Sequence, residues 1–120
     1  MKIIIDPVAK PRQTRSDKWK QRPCVLKYRA FADELRYKCK LAGIKIDSEL
    51  DIEFNIPMPK SWSKKKKAEM LWKPHQQKPD IDNLVKALLD SLLPEDSHIW
   101  KISASKIWDE TGSINFRDEN

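Results

Sequence analysis

The clearest periodic pattern of apolar and polar positions lies between residues 80 and 93. Apolar side chains recur there every three or four residues, which predicts an amphipathic helix that starts near Asp80 and ends before Pro94. Three polar residues, Asp82, Lys86 and Asp90, are four residues apart and therefore line up on the opposite side of this helix. The buried side is predicted to consist of Ile81, Leu84, Val85, Leu88, Leu89 and Leu92.

Other stretches show strand or helix patterns of their own. Residues 50–56 alternate apolar and polar side chains, as in a half-buried strand, and residues 25–42 have a helical period that Gly43 stops. The remaining predicted elements are a strand at 2–6, a short helix within 60–74 capped by Ser61 or Ser63, and strands at 98–108 and 113–117 that pair as a hairpin. This order predicts an α+β fold, with a small mixed β-sheet and helices packed against it.

Length and composition narrow the class of protein. A chain of 120 residues is expected to form one domain over residues 1–120. Its net charge of +6 and pI near 9.3 favour a polyanionic partner, with nucleic acid ahead of an anionic membrane surface. The chain has no apolar run of the ~18 residues that suggest a membrane span, and its first apolar stretch is too short for a signal peptide. Since Cys24 and Cys39 are also expected to be reduced thiols, we predict a cytoplasmic protein with no membrane partner.

The basic residues are concentrated in two segments of the sequence. The first, residues 10–22, precedes the predicted helix at 25–42, and the second, residues 60–74, precedes the predicted acidic helix. Lysine and arginine at this density supply contacts to phosphates, and Trp19 in the first segment could stack on an unpaired base. The alternative is that both segments are solvated surface. The predicted nucleic-acid contacts are Lys10, Arg12, Arg15, Lys18, Lys20 and Arg22 in the first segment, and Lys64, Lys65, Lys66 and Lys67 in the second.

Carboxylates are concentrated at and after the predicted acidic helix. Together with Lys86, five of them are expected to converge in a small volume: Asp80, Asp82, Asp90, Glu95 and Asp96. Converging carboxylates repel one another unless a cation lies between them, and Mg²⁺ or Mn²⁺ prefers such oxygen ligands. Because a nearby lysine could stabilise charge on a phosphate, we interpret the cluster as a phosphodiesterase site. The alternative is structural, with helix capping by an aspartate and ordinary surface ion pairs.

The motif over residues 80–92, Asp-x-Asp-Asn-x-x-Lys-x-x-x-Asp-x-Leu, resembles the signature of the RusA family of Holliday junction resolvases, small enzymes frequent in phages and prophages. The resemblance covers most of the chain and implies a homodimer with one metal site in each subunit. It also implies catalytic residues at Asp80, Asp82, Lys86 and Asp96, of which Asp80, Asp82 and Asp96 would bind the metal. The chain departs from many relatives at Glu95, where they carry aspartate, so Glu95 is not counted among the ligands.

Residues and resemblance together predict Mg²⁺-dependent, paired symmetric cleavage of phosphodiesters in a four-way DNA junction, as a step in recombination and repair. Such a junction has approximate twofold symmetry, which suits an isologous dimer. Two other classes remain open. One is a non-catalytic nucleic-acid-binding protein, and the other is a metal-dependent nuclease that acts on other branched or linear DNA.

Side chains outside the motif carry weaker expectations. Tyr28, Phe31 and Leu35 are expected in the core, because they share the apolar side of a helix. His75 is expected to belong to a linker. Lys106, which lies on a predicted strand, is expected to point to the surface rather than back towards the acidic residues.

Overall fold

The computed structural model describes residues 1–11 and 22–117. Within these ranges the chain forms four strands and three helices, which confirms the predicted α+β class. In chain order they are β1 (Lys2–Ile4), α1 (Pro23–Ala42), β2 (Glu49–Pro57), α2 (Lys64–Met70), α3 (Ile81–Leu92), β3 (Lys101–Asp109) and β4 (Ser113–Phe116).

The four strands form one mixed sheet in the order β1-β4-β2-β3. β2 and β3 are parallel along their full length, from Glu49 opposite Lys101 to Pro57 opposite Asp109. β4 is antiparallel to both β1 and β2. The predicted hairpin between β3 and β4 is therefore wrong. β3 pairs with nine residues of β2, and the short β4 instead lies between β1 and β2, where three of its four residues are buried.

The turn between β3 and β4 passes very close to the end of β1. A Cβ atom on Gly112 would lie 2.0 Å from Asp6 Oδ1 and 2.8 Å from Asp6 Cα. Because any side chain would collide with this backbone, the turn requires glycine at position 112.

One buried cluster joins the sheet to α1 and α3. Phe31 and Leu35 belong to it, as predicted, together with Phe54 of β2 and Leu84 and Leu88 of α3. The two cysteines behave as expected, since Cys24 is exposed, Cys39 is buried, and neither forms a disulfide. Burial raises the pKa of the Cys39 thiol to about 11.

The ends of the helices follow from local sequence. Gly43 adopts a left-handed conformation with φ of 72° at the end of α1, and its N–H donates to the carbonyl oxygens of Cys39 and Lys40. Ser63 caps α2, because its side chain accepts a hydrogen bond from the N–H of Lys66. Over residues 1–11 and 22–117, no helix combines the length and apolarity that crossing a bilayer needs.

Candidate active site

Asp80 and Asp82 lie at the beginning of α3. Asp80 occupies the N-cap position with an extended backbone, and its carbonyl oxygen accepts from the N–H of Leu84 at 3.2 Å, yet its side chain makes no capping hydrogen bond. Asp82 is exposed, and its Oδ1 accepts from the N–H of the adjacent Asn83 at 3.0 Å. Among the ion pairs of the described residues, none uses either aspartate. The capping alternative therefore explains the position of Asp80 but not its exposed carboxylate.

The residues just before α3 are held in place by β3. We refer to residues 72–79 as the leading segment. It runs antiparallel to the end of β3, with Trp72 N–H donating to the Trp108 carbonyl at 2.9 Å and His75 N–H donating to the Lys106 carbonyl at 3.0 Å. β3 thus fixes the backbone path that leads to Asp80.

Lys106 reinforces this attachment through its side chain. Its Nζ donates to the carbonyl oxygens of Gln77 at 2.5 Å and Pro79 at 2.7 Å. The expectation that Lys106 points to the surface is wrong, because the side chain is half-buried and binds the backbone directly before Asp80. Spacing gave no signal for this contact, since 27 residues separate Lys106 from Pro79.

His75 is part of the core beneath the leading segment and not a linker residue as expected. It is only 3% exposed, and its ring centroid lies 4.3 Å from that of Trp108. Trp62 packs on the same indole at 4.7 Å. Burial and, to a smaller extent, the nearby Lys106 ammonium lower the pKa of His75. The polar neighbours of His75 in the sequence gave no apolar period that would have predicted its burial.

In the predicted column of Asp82, Lys86 and Asp90, the carboxylate of Asp90 contacts two lysines, Lys86 of the same helix and Lys10. Lys86 Nζ lies 3.8 Å from Asp90 Oδ2, and the same oxygen accepts from Lys10 Nζ. Lys10 is further tied to α3 through its N–H, which donates to the Asn83 carbonyl at 3.2 Å. Since Asp90 is occupied by these lysines, its carboxylate fits an ion-pair role better than that of a metal ligand.

Glu95 and Asp96 follow the other end of α3. Glu95 Oε1 accepts from the N–H of Ser97 at 3.0 Å, and this hydrogen bond lowers the pKa of Glu95. The Asp96 carbonyl accepts from the N–H of Ile99 at 3.0 Å, and the Asp96 side chain is exposed. α3 has 12 residues, so about 18 Å of helix separates its two ends.

The structure does not bring the five predicted carboxylates together. Within residues 1–11 and 22–117, no group of three or more histidine, cysteine, aspartate or glutamate residues is arranged to hold a metal ion. Asp80 and Asp82 lie at one end of α3, and Glu95 and Asp96 follow its other end. A spacing of four residues aligns side chains on one face of a helix, but it does not shorten the distance along the axis.

The basic segments are described in part. Lys64, Lys65 and Lys66 are exposed on α2, Lys67 is half-buried, and Lys66 Nζ lies 4.4 Å from the centre of the Trp62 ring. Arg22 precedes α1 at its N-cap position. The other predicted contacts of the first segment, Arg12, Arg15, Lys18 and Lys20, lie outside the described residues, as does Trp19.

The donors at α3 suit a divalent cation by their chemistry. Asp80, Asp82 and Asp96 are exposed carboxylates, and Mg²⁺ is typically held by one or two carboxylates together with water and substrate phosphates. Exposed carboxylates beside a lysine, in a chain of net charge +6, are compatible with a metal-dependent nuclease.

The comparison with known protein families also indicates a nuclease. The family model for endodeoxyribonuclease RusA matches residues 5–117, so the chain belongs to the RusA family. It is therefore an endodeoxyribonuclease of the Holliday junction resolvase type, a hydrolase, and the alternative of a non-catalytic binding protein is set aside. Nucleases of this family generally depend on a divalent metal. Neither a curated protein nor a solved structure gives a significant match to the chain.

Proposed function

We propose that this chain is a Mg²⁺-dependent, structure-selective endodeoxyribonuclease that resolves four-way junctions by paired symmetric cleavage as a homodimer. One observation carries the proposal: Asp80 and Asp82 are exposed at the start of α3 while the backbone before them is held by Lys106. A fixed backbone with exposed carboxylates that take part in no ion pair among the described residues suits a metal-dependent phosphodiesterase. The whole chain, residues 1–120, would act as one domain.

The proposed metal ligands are Asp80 and Asp82 at the N-terminal end of α3, and Asp96 after its other end, which the resemblance to the family adds. About 18 Å of helix separates the two groups, so within one subunit they would not hold the same ion. When bound, Mg²⁺, or Mn²⁺ in its place, would activate water and neutralise charge on the scissile phosphate. Asp80 and Asp82 supply oxygen donors from adjacent positions at the N-terminal end of α3, where the helix dipole also favours the phosphate group. Lys86 is 62% exposed in its side chain and lies one turn after Asp82, and we propose that its ammonium offsets negative charge on the phosphate.

DNA binding would come from the two basic segments, through contacts to phosphates that give strong salt dependence. Lys64, Lys65, Lys66 and Lys67 lie on a helix in the connection between β2 and Asp80, which suits a surface that brings DNA to the acidic residues. The first segment would contribute Arg12, Arg15, Lys18, Lys20 and Arg22. Lys10 is bound to Asp90, and we propose that it supports α3 as well as adding positive charge next to the DNA.

The proposed homodimer follows from the substrate. A four-way junction presents two symmetry-related strands, and two cuts at equivalent positions require two active sites related by a twofold axis. The natural role of such cutting is DNA recombination and repair. A DNA substrate and two cysteines without a disulfide also favour a cytoplasmic location.

A second candidate shares the same site: a metal-dependent nuclease that prefers flaps, forks or linear duplex. The test is incubation of the purified protein with a labelled synthetic four-way junction and a matched linear duplex, each with Mg²⁺ and with EDTA. The Asp82→Asn variant serves as the inactive control. Symmetric paired nicks in the junction alone, absent with EDTA or with the variant, are the expected result. Equal or preferential cutting of the duplex would favour the second candidate instead.

A further inference from the structure

Trp72 has a backbone conformation that is unfavourable for a bulky residue. Its φ is 65°, and among the described residues it is the only non-glycine residue with positive φ. Glycine adopts this conformation freely, whereas a side chain with a Cβ does so at a cost in free energy. The conformation is maintained by hydrogen bonds on either side, from Trp72 N–H to the Trp108 carbonyl and from Lys73 N–H to the Met70 carbonyl at 3.0 Å.

The indole that this backbone supports is not used by the core. Trp72 is 67% exposed, in contrast with Trp108, which is 4% exposed and packs against Trp62 and His75. A large aromatic ring in water on an unfavourable backbone contributes little to folding. An exposed ring on an unfavourable backbone is a reason to look for a function outside folding, such as contact with a partner that offers a flat apolar surface.

The charge around Trp72 indicates which partner fits. Residues 60–78 contain seven lysines and one glutamate, and they include the exposed Lys65 and Lys73. Such a surface favours a polyanion with exposed flat rings, which describes the unpaired bases of DNA. A basic peptide or a second copy of this basic segment would meet like charge.

The length of the leading segment limits how far Trp72 can lie from Asp80. It begins the leading segment that ends directly before Asp80, and eight extended residues span at most about 28 Å. Both ends of the segment are bonded to neighbouring residues of β3, Trp72 to Trp108 and Pro79 to Lys106, which shortens the separation further. Trp72 and Asp80 are therefore separated by less than one turn of a DNA duplex, about 34 Å.

We propose that Trp72 is a stacking site for an unpaired base next to the point of cleavage, so that it favours branched over fully paired DNA. This rests on the proposed nuclease function and adds a residue that selects the substrate. The surrounding lysines hold the phosphates, and the indole face receives a base that the branch point leaves unstacked.

The test is binding in EDTA, so that no cleavage is needed, to a forked DNA with unpaired bases and to a fully paired duplex of the same length. Trp72→Gly removes the ring at a φ that glycine prefers, Trp72→Phe keeps an aromatic face, and Trp100→Ala removes another exposed tryptophan, at 71% exposure, as a matched control. We expect Trp72→Gly to weaken binding to the fork about tenfold or more, as base stacking requires. Duplex binding should change less than about twofold, since the phosphate contacts remain. Trp72→Phe should retain most of the affinity, and Trp100→Ala all of it.

Three outcomes would overturn the proposal. These are an equal loss on fork and duplex, no loss on the fork, or a lower melting temperature of Trp72→Gly, which would mean that the indole packs on its own chain. Sedimentation of Trp72→Gly as a smaller species than wild type would assign the ring to a contact between copies. Wild-type protein that binds the fork tightly but cuts no DNA with Mg²⁺ would contradict the proposed function and leave the stacking result standing.

Discussion

The two ends of α3 carry similar acidic residues in different surroundings. At the N-terminal end, the backbone before Asp80 is held by β3 through Lys106, and Asn83 accepts from the N–H of Lys10, so residues from distant parts of the chain fix its position. After the C-terminal end, Glu95 bonds only two residues ahead, to Ser97, and the next tie to the sheet is from Trp100 N–H to the Ser48 carbonyl. Asp80 and Asp82 are therefore positioned by contacts with distant parts of the chain. Glu95 and Asp96 are positioned mainly by hydrogen bonds within their own loop.

The largest expected effect is the loss of DNA cleavage when an aspartate is replaced at either end of α3. It tests whether the two ends of the helix take part in the same reaction. Asp80→Asn and Asp96→Asn should each reduce junction cleavage by more than about 100-fold, because loss of a ligand exceeds the 10- to 100-fold cost of losing a supporting contact. Junction binding in EDTA should be retained or become tighter, since each change removes a negative charge near the DNA. Cleavage rate and binding affinity are measured on the same labelled junction.

Glu95→Gln provides the matched control for this comparison. Glu95 is adjacent to Asp96 and loses the same charge, but its carboxylate already accepts from Ser97, so cleavage should change little. Wild type, Asp80→Asn, Asp96→Asn and Glu95→Gln should have nearly the same melting temperature, because substitutions of exposed residues change stability little. Normal cleavage by Asp96→Asn would restrict the active site to the N-terminal end of α3.

An intermediate effect is expected from Lys106, which supports Asp80 from behind. Lys106→Met removes the donor to the Gln77 and Pro79 carbonyl oxygens, and we expect it to lower stability by about 1–2 kcal/mol. Cleavage should fall about tenfold, as for other contacts that orient a metal ligand. Denaturant unfolding and cleavage at several Mg²⁺ concentrations measure the two effects, and a higher Mg²⁺ requirement would indicate a displaced ligand.

Lys101→Met is the control, because it removes an exposed lysine from the same strand. Lys106→Arg should recover part of the activity, since guanidinium can donate to two carbonyl oxygens. If Lys106→Met and Lys101→Met lost equal activity, the effect would come from DNA contact and not from the position of Asp80.

The smallest expected effect is a pH dependence of stability at the leading segment. The pKa of His75 is lowered from its ordinary value of 6.5, so below pH 6.5 the unfolded chain takes up a proton more readily than the folded one. The contribution of His75 is therefore full above pH 6.5 and is lost as the pH falls through that value towards the lower pKa of the folded state. Melting curves of wild type and His75→Phe at several pH values measure this pH dependence. The loss of stability at low pH should be smaller in His75→Phe. The matched control is His98→Gln, which changes an exposed histidine outside the leading segment.

The elements of the fold were predictable where local chemistry decides them. Alternation predicted β2, helical periods predicted α1 and α3, Gly43 was predicted to end α1, and Ser63 was one of two serines predicted to cap α2. Strand order was not predictable in this way, because alternation shows which face of a strand is buried and not which strand lies beside it. The turn at 109–112 suggested a hairpin, yet β3 pairs with β2.

The candidate site was likewise predictable where the sequence holds a local pattern, and not where contacts join distant residues. The motif at residues 80–92 led to the family, which the match over residues 5–117 confirms. The roles of Lys106 and His75 were missed, because their contacts join residues about 30 positions apart and leave no local pattern. The catalytic and metal-binding roles of Asp80, Asp82, Lys86 and Asp96 stay predictions.

The position of β4 has a consequence for how the protein is made. Among the described residues, β4 is the last strand to be translated, and it lies between β1 and β2, which form no strand pair with each other. Until β4 is translated, the sheet lacks the strand between β1 and β2. The edge of β2 that β4 later covers is then unpaired and exposed to other chains. Completion of the sheet, and with it the protection of a growing chain from aggregation, therefore depends on four residues that follow β1 by more than 100 positions in the sequence.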